Sequence, residues 1–150
     1  MRRQTTSEKT LMLAVTQGAA GAASLGHETA RRALSCARTR RDRANALDLL
    51  ARVEPSPFVR YRFSRELARL RPTQPHVWAL LHRSAIDCGF HRAAEIAKER
   101  YAATKAEWNL HEQPRIAAEW ERIRLEDPEL YARIKTAYGR GQSSDGHGFS

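Results

Sequence analysis

The stretch VWALLHRSAIDCGFHRAAEIA, residues 77–97, decides the fold class. Val77, Trp78, Leu81, Ala85 and Ile86 keep the spacing that gathers apolar side chains on one face of a helix. Gly89 stands where that stripe ends, and glycine takes the left-handed backbone of a helix C-terminus without a Cβ penalty. A second stripe, Ala93, Ala94, Ile96, Ala97 and Tyr101, follows at once. The segment reads as a helical hairpin.

Towards the N-terminus the pattern stays helical. RPTQP (71–75) is a turn, and before it a helix over about 58–71 sets Phe63, Leu67 and Leu70 on one side and Arg62, Arg65 and Arg69 on the other. EPSP (54–57) stops the preceding segment, because proline removes an amide donor and restricts the residue before it. From about His27 to Val53, Ala30, Ala33, Leu34, Ala37, Ala44, Leu47, Leu50 and Ala51 keep helical phase, predicting one long amphipathic helix interrupted only by Arg40 and Arg41. QGAAGAASLG (17–26) suits a close helix contact or a joint, and Thr5 to Glu8 has the spacing of a capping box ahead of Leu11 to Val15.

Towards the C-terminus the helix from Ala93 reaches Trp108. The segment from Asn109 to Gln113 lacks apolar periodicity and Pro114 follows, which predicts a break. Two shorter helices come next: Pro114 to about Leu125, with Ile116, Ala117, Trp120 and Ile123 inward, and Pro128 to Tyr138, with Asp127 as N-cap. GRGQSSDGHGFS (139–150) reads as a flexible tail. The expectation is an all-α helical bundle of about three principal helices with shorter N- and C-terminal helices. It forms a single domain over 1–138, with 1–26 as N-terminal segment and joint.

Charge is distributed unevenly. Residues 1–71 carry 15 Lys and Arg against 6 Asp and Glu, and residues 72–150 carry 11 of each, so the whole net charge of +9 lies in the first half. Arginine supplies 22 of the 26 basic residues, and guanidinium favours bidentate pairing with carboxylate or phosphate. The expected partner therefore has an acidic surface, whether protein, nucleic acid or anionic lipid. At 150 residues the chain is long enough to bury a core without staples. Cys36 and Cys88 form no metal-ligand pair and imply no disulfide framework, and no apolar run approaches the ~20 residues of a membrane span.

Catalytic chemistry is not visible. The chain has no phosphate-binding loop, GxSxG, HExxH or dinucleotide fingerprint, and Gly18, Gly21 and Gly26 are too widely spaced for a GxGxxG turn. His82, Cys88 and His91 sit on the hydrophobic hairpin, where such residues are usually packing residues rather than ligands. The expectation is a protein that is not an enzyme, with no catalytic, cofactor-binding or metal-binding residues.

Two resemblances extend this reading. Trp78, Leu81, Gly89 and Ala94 fall at the offsets of a tetratricopeptide repeat, in which tryptophan and leucine face the second helix and glycine permits the turn. Thirty-four residues earlier stand Ala44, Leu47 and Pro55, which keep only the leucine, so a generic hairpin is the plainer reading.

The second resemblance is distributed along the chain. KTLMLAV (9–15), LDLLARVEPSPFVRYR (47–62) and AEIAKERYAATKAEWNLHEQP (94–114) resemble the alpha-subcomplex accessory subunit five of mitochondrial NADH:ubiquinone oxidoreductase (complex I). Val53 and Pro55, Tyr61 and Arg62, and Glu107, Trp108, Glu112 and Pro114 stand at that family's motif positions. The chain departs from the family in the added arginine cluster Arg38 to Arg43, in His111 where a second tryptophan stands, and in its return to helix after Pro114.

The resemblance implies a non-catalytic accessory subunit of a large multiprotein assembly on the matrix side of the mitochondrion, with Trp108 as a non-catalytic anchor in the next subunit or in its own helical bundle. The basic, hydroxyl-rich start at Met1-Arg2-Arg3 loosely fits a matrix-targeting segment, from which Glu8 departs. Candidate interaction residues are Tyr61, Arg62, Arg65, Arg69, Glu107, Trp108, Glu112 and Pro114, with Arg38, Arg40, Arg41 and Arg43. The alternatives are a basic RNA-contacting protein such as an organellar ribosomal subunit, or a tetratricopeptide-like helical adaptor. Against RNA, base-stacking aromatics are not interleaved with the arginine clusters at the regular spacing of a known RNA module.

Overall fold

The computed structural model describes residues 2–19, 21 and 23–142. Among these residues seven helices follow one another: α1 (Thr6–Ala19), α2 (Ala23–Ser35), α3 (Arg40–Val53), α4 (Pro57–Leu70), α5 (Pro75–Asp87), α6 (His91–Glu126) and α7 (Pro128–Gln142). Among the described residues there is no strand. The all-α expectation holds, but seven helices replace about three principal ones. The chain divides into two compact units, with the boundary between Ala106 and Glu107, inside α6.

The main correction concerns residues 27–53. The apolar stripe predicts one helix there, whereas α2 ends at Ser35 and α3 begins at Arg40. The reason is local. Thr39 has extended backbone, and its hydroxyl accepts the Asp42 amide at 3.1 Å, capping α3. Ala37 stays in apolar phase across the break, which hides it from a periodicity argument. The second correction concerns residues 109–114, which are helical, with Pro114 inside α6. Proline lacks the amide that would bond the Leu110 carbonyl. Leu110 is 70% exposed, so water can take that bond.

Other terminal signals act as read. Thr5 Oγ1 accepts the Glu8 amide at 3.1 Å while Glu8 accepts the Thr5 amide at 2.9 Å, a complete capping box. Asp127 Oδ1 accepts the Leu130 amide at 3.0 Å at the start of α7. That helix continues through Gln142, so the first four residues of the expected tail are helical, and 143–150 lie outside the described residues. At the end of α5, Gly89 has φ +73°, the Phe90 amide bonds the Ala85 carbonyl at 2.9 Å, and the Gly89 amide bonds that of Ile86 at 3.0 Å. This pair of bonds is the Schellman closure that lets the chain reverse into α6.

In the first unit the helices form hairpins that recur in register. α1, α3 and α5 begin at Thr6, Arg40 and Pro75, and α2, α4 and α6 at Ala23, Pro57 and His91, so each interval is 34 or 35 residues. α1 packs on α2 and α3, α2 on α3, α3 on α4 and α5, and α4 on α5. The α5–α6 hairpin is tied by the His82 ring, whose Nδ1 lies 2.9 Å from the Ala94 carbonyl oxygen.

One core cluster joins Ala44 and Leu47 of α3, Leu67 and Ala68 of α4, Val77 and Leu81 of α5 and Ala97 of α6. A second joins Ala14 of α1, Ala30 of α2 and Leu50 of α3. Burying each leucine contributes about 1.5–3 kcal/mol. Ile86 and Ile96, expected inward, are 49% and 50% exposed, because Ala85, Ala94 and Ala97 fill the narrow contact between α5 and α6.

In the second unit, Trp120 meets Tyr131 edge to face at 6.0 Å, joining the end of α6 to α7. Ile123 is half-buried, while Ile116 and Ala117, expected inward, are exposed. Most described side chains of this unit are exposed to solvent.

Candidate functional site

α4 builds the site by its periodicity. Arg62, Arg65 and Arg69 recur at i, i+3 and i+7, within about 60° of one another around the helix, while Phe63, Leu67 and Leu70 turn to the core. Facing that stripe are Arg43 near the start of α3 and Arg31 of α2. With Val59, Phe63 and Glu66 these residues line an open groove of about 600 Å³. Five guanidinium groups and one carboxylate therefore surround a single cavity.

The five arginines are not equally available. Arg31 Nη2 lies 3.0 Å from Glu54 Oε2, and its guanidinium carbon stands 5.9 Å from the centre of the Phe63 ring. Arg43 Nε donates to Glu66, a bond that raises the arginine's already high pKa. Among the described residues, Arg62, Arg65 and Arg69 form no ion pair, and all three are exposed. The groove thus carries a stripe of three uncompensated charges, spanning about 10 Å along the helix at 1.5 Å per residue.

The structure brings together four of the predicted arginines and separates the others. Arg43 joins Arg62, Arg65 and Arg69. Arg40 instead donates to the Leu70 carbonyl at 3.1 Å, neutralising an unsatisfied acceptor at the end of α4. Arg38 lines a different, hydroxyl-rich hollow with Thr5, Ser35 and Thr39, and Arg41 lines another beside Glu8 and Met12. Tyr61 packs edge to face on Phe90 at 5.0 Å, a contact within the hairpin stack. Glu107, Trp108, Glu112 and Pro114 belong to the second unit. There Trp108 is half-buried within α6, and Glu112 accepts from Arg115 at 2.5 Å.

Two groove residues escape the sequence reading, Arg31 and Glu66. A signal for Arg31 exists, since it stands 34 residues before Arg65, so the repeat interval places the two at equivalent points of successive hairpins. Glu66 is an ordinary helix-surface acid until Arg43 is placed opposite it.

Near the groove lies a buried polar network. Glu54, 5% exposed, receives Arg31 and the His27 ring on one carboxylate oxygen, while its backbone carbonyl accepts from Arg60 at 3.0 Å. Burial alone would raise the Glu54 pKa, but the bonds and charges of His27 and Arg31 outweigh it and hold the carboxyl below its ordinary value. The network fixes the junction of α2, α3 and α4 under Arg31.

Among the described residues no three His, Cys, Asp or Glu side chains are placed to hold a metal ion, and no helix is long and apolar enough to cross a membrane. Cys36 and Cys88 are free thiols. No family model matches the chain, and no curated protein or solved structure matches it either.

Proposed function

We propose that this chain is a non-catalytic helical-repeat adaptor, an accessory component of a multiprotein assembly, that meets an acidic protein surface through the groove between α2, α3 and α4. The observation that carries this reading is the unpaired stripe Arg62, Arg65 and Arg69 on a stack of hairpins recurring every 34 or 35 residues. Repeats of that length are helix–turn–helix units whose shared function is to present an extended surface to another protein. The tetratricopeptide-like reading gains from this register, since Leu47 and Leu81, 34 residues apart, are both core residues. The narrower assignment, to respiratory complex I in the mitochondrial matrix, rests on the short motifs between residues 9 and 114.

Co-purification tests both levels. The tagged full chain should retain a defined set of proteins that the variant Arg62→Gln/Arg65→Gln/Arg69→Gln loses while its circular dichroism and melting stay unchanged. Retention of the same set by the variant would remove the groove from the interface. Recovery of complex I subunits would establish the narrower assignment, and recovery of RNA, with affinity falling by roughly 0.7–0.9 log units per phosphate contact for each tenfold rise in salt, would replace the adaptor by a nucleic-acid protein.

A further inference from the structure

The groove contains one group of the wrong sign for an acidic partner. Glu66 lies among the arginines, and its carboxylate holds Arg43. Both side chains are substantially exposed, at 36% and 45%. Exposed ion pairs of this kind add little to stability, a factor of roughly five or less. The pair is not needed to join its helices either, because Ala44 and Leu47 of α3 already pack with Leu67 and Ala68 of α4 in one core. Glu66 therefore occupies a cation without a structural requirement to do so.

Resting on the reading that this groove meets acidic protein, we infer that Glu66 is a built-in competitor: it holds Arg43 in the free chain, and a carboxylate of an acidic peptide displaces it. Further carboxylates of the same peptide engage Arg62, Arg65 and Arg69. An extended chain advances about 3.3 Å per residue, so acidic residues three apart match the roughly 10 Å between Arg62 and Arg69. The groove favours peptide over single-stranded nucleic acid, because among the described residues its one aromatic ring, Phe63, already packs on the core and lies under Arg31 and so offers a base no free platform. The competitor sets a threshold: a ligand with a lone carboxylate gains little by exchanging one carboxylate for another at Arg43, whereas a multiply acidic segment gains the three free arginines together.

Fluorescence anisotropy with the full chain and labelled oligoglutamate of twelve residues tests this, with oligouridylate of equal length alongside. Glu66→Gln should tighten oligoglutamate binding about three- to ten-fold by removing competition and like-charge repulsion, and that gain should vanish when Arg43→Gln is also present. Arg62→Gln/Arg65→Gln/Arg69→Gln should weaken binding at least about ten-fold. Unchanged or weaker binding by Glu66→Gln, or a gain that persists without Arg43, overturns the competitor while the triple variant still reports on the groove. Wild-type affinity in the triple variant overturns the groove itself. Tighter binding of oligouridylate than of oligoglutamate overturns the acidic-peptide assignment.

Discussion

Gly26 of α2 lies so close to α1 that a Cβ atom on it would stand 2.9 Å from the Ala14 carbonyl oxygen and 3.2 Å from the Gly18 nitrogen. Both neighbours are backbone atoms of a helix and cannot rotate aside. The Ser7 hydroxyl, donating to the Ala33 carbonyl at 2.8 Å, fastens the same two helices elsewhere along their contact. Gly26→Ala should therefore push α1 off α2 and lower stability by about 1–3 kcal/mol, read as a lower urea midpoint. An unchanged midpoint would mean that the two helices do not approach as closely as this.

Gly89 allows the next prediction. At φ +73° any L-residue is strained, and the Schellman bonds of Gly89 and Phe90 hold the backbone in that state. Gly89→Ala should cost about 1 kcal/mol or more in thermal or urea unfolding, whereas Asn, which tolerates left-handed backbone, should cost less than Ala. Equal effects of the two substitutions would rule out backbone strain as the cause.

Acid should destabilise the fold through two carboxylates. Glu54 is held below its ordinary 4.5 by His27 and Arg31 against the opposing effect of burial. Asp48 is held below its ordinary 3.8, also against burial, by the His76 hydrogen bond and the charge of Arg52. Each binds its proton more weakly when folded, so its contribution is complete above the ordinary value and is lost as pH falls through the lower folded one. The urea midpoint should hold down to about pH 5 and then fall. Glu54→Gln should cost about 1–3 kcal/mol at neutral pH and flatten the acid limb, because the variant has no proton to gain at that position.

How much of this was legible in the sequence depends on whether a signal was local. Gly89, the Thr5–Glu8 box and Asp127 each announce a helix end within four residues, and each acts as read. The Thr39–Asp42 cap is equally local, but Ala37 continues the apolar phase across it, so periodicity concealed the boundary between α2 and α3. Half of the groove follows from the phase of α4 alone, because Arg62, Arg65 and Arg69 oppose Phe63 and Leu67. The other half needs α2 and α3 placed beside α4, which is tertiary information visible in sequence only as the interval between Arg31 and Arg65.

Pro114 is where a strong local rule yields to its surroundings, and it gives the last prediction. An interior proline costs a helix about 3 kcal/mol through a lost hydrogen bond and ring contact, yet α6 continues from His91 to Glu126 around it. The residues beside it are exposed, so the freed carbonyl of Leu110 meets water instead of an apolar wall, the Glu112–Arg115 pair bridges the proline, and the Glu119–Arg122 pair supports the helix beyond it. Pro114→Ala restores the missing amide without removing any buried contact. It should raise helical ellipticity and increase protection of amides near residue 114 in hydrogen exchange, with a gain of up to about 3 kcal/mol in local opening. Unchanged exchange there would mean that α6 is already interrupted in solution, and the break expected from the sequence would stand after all.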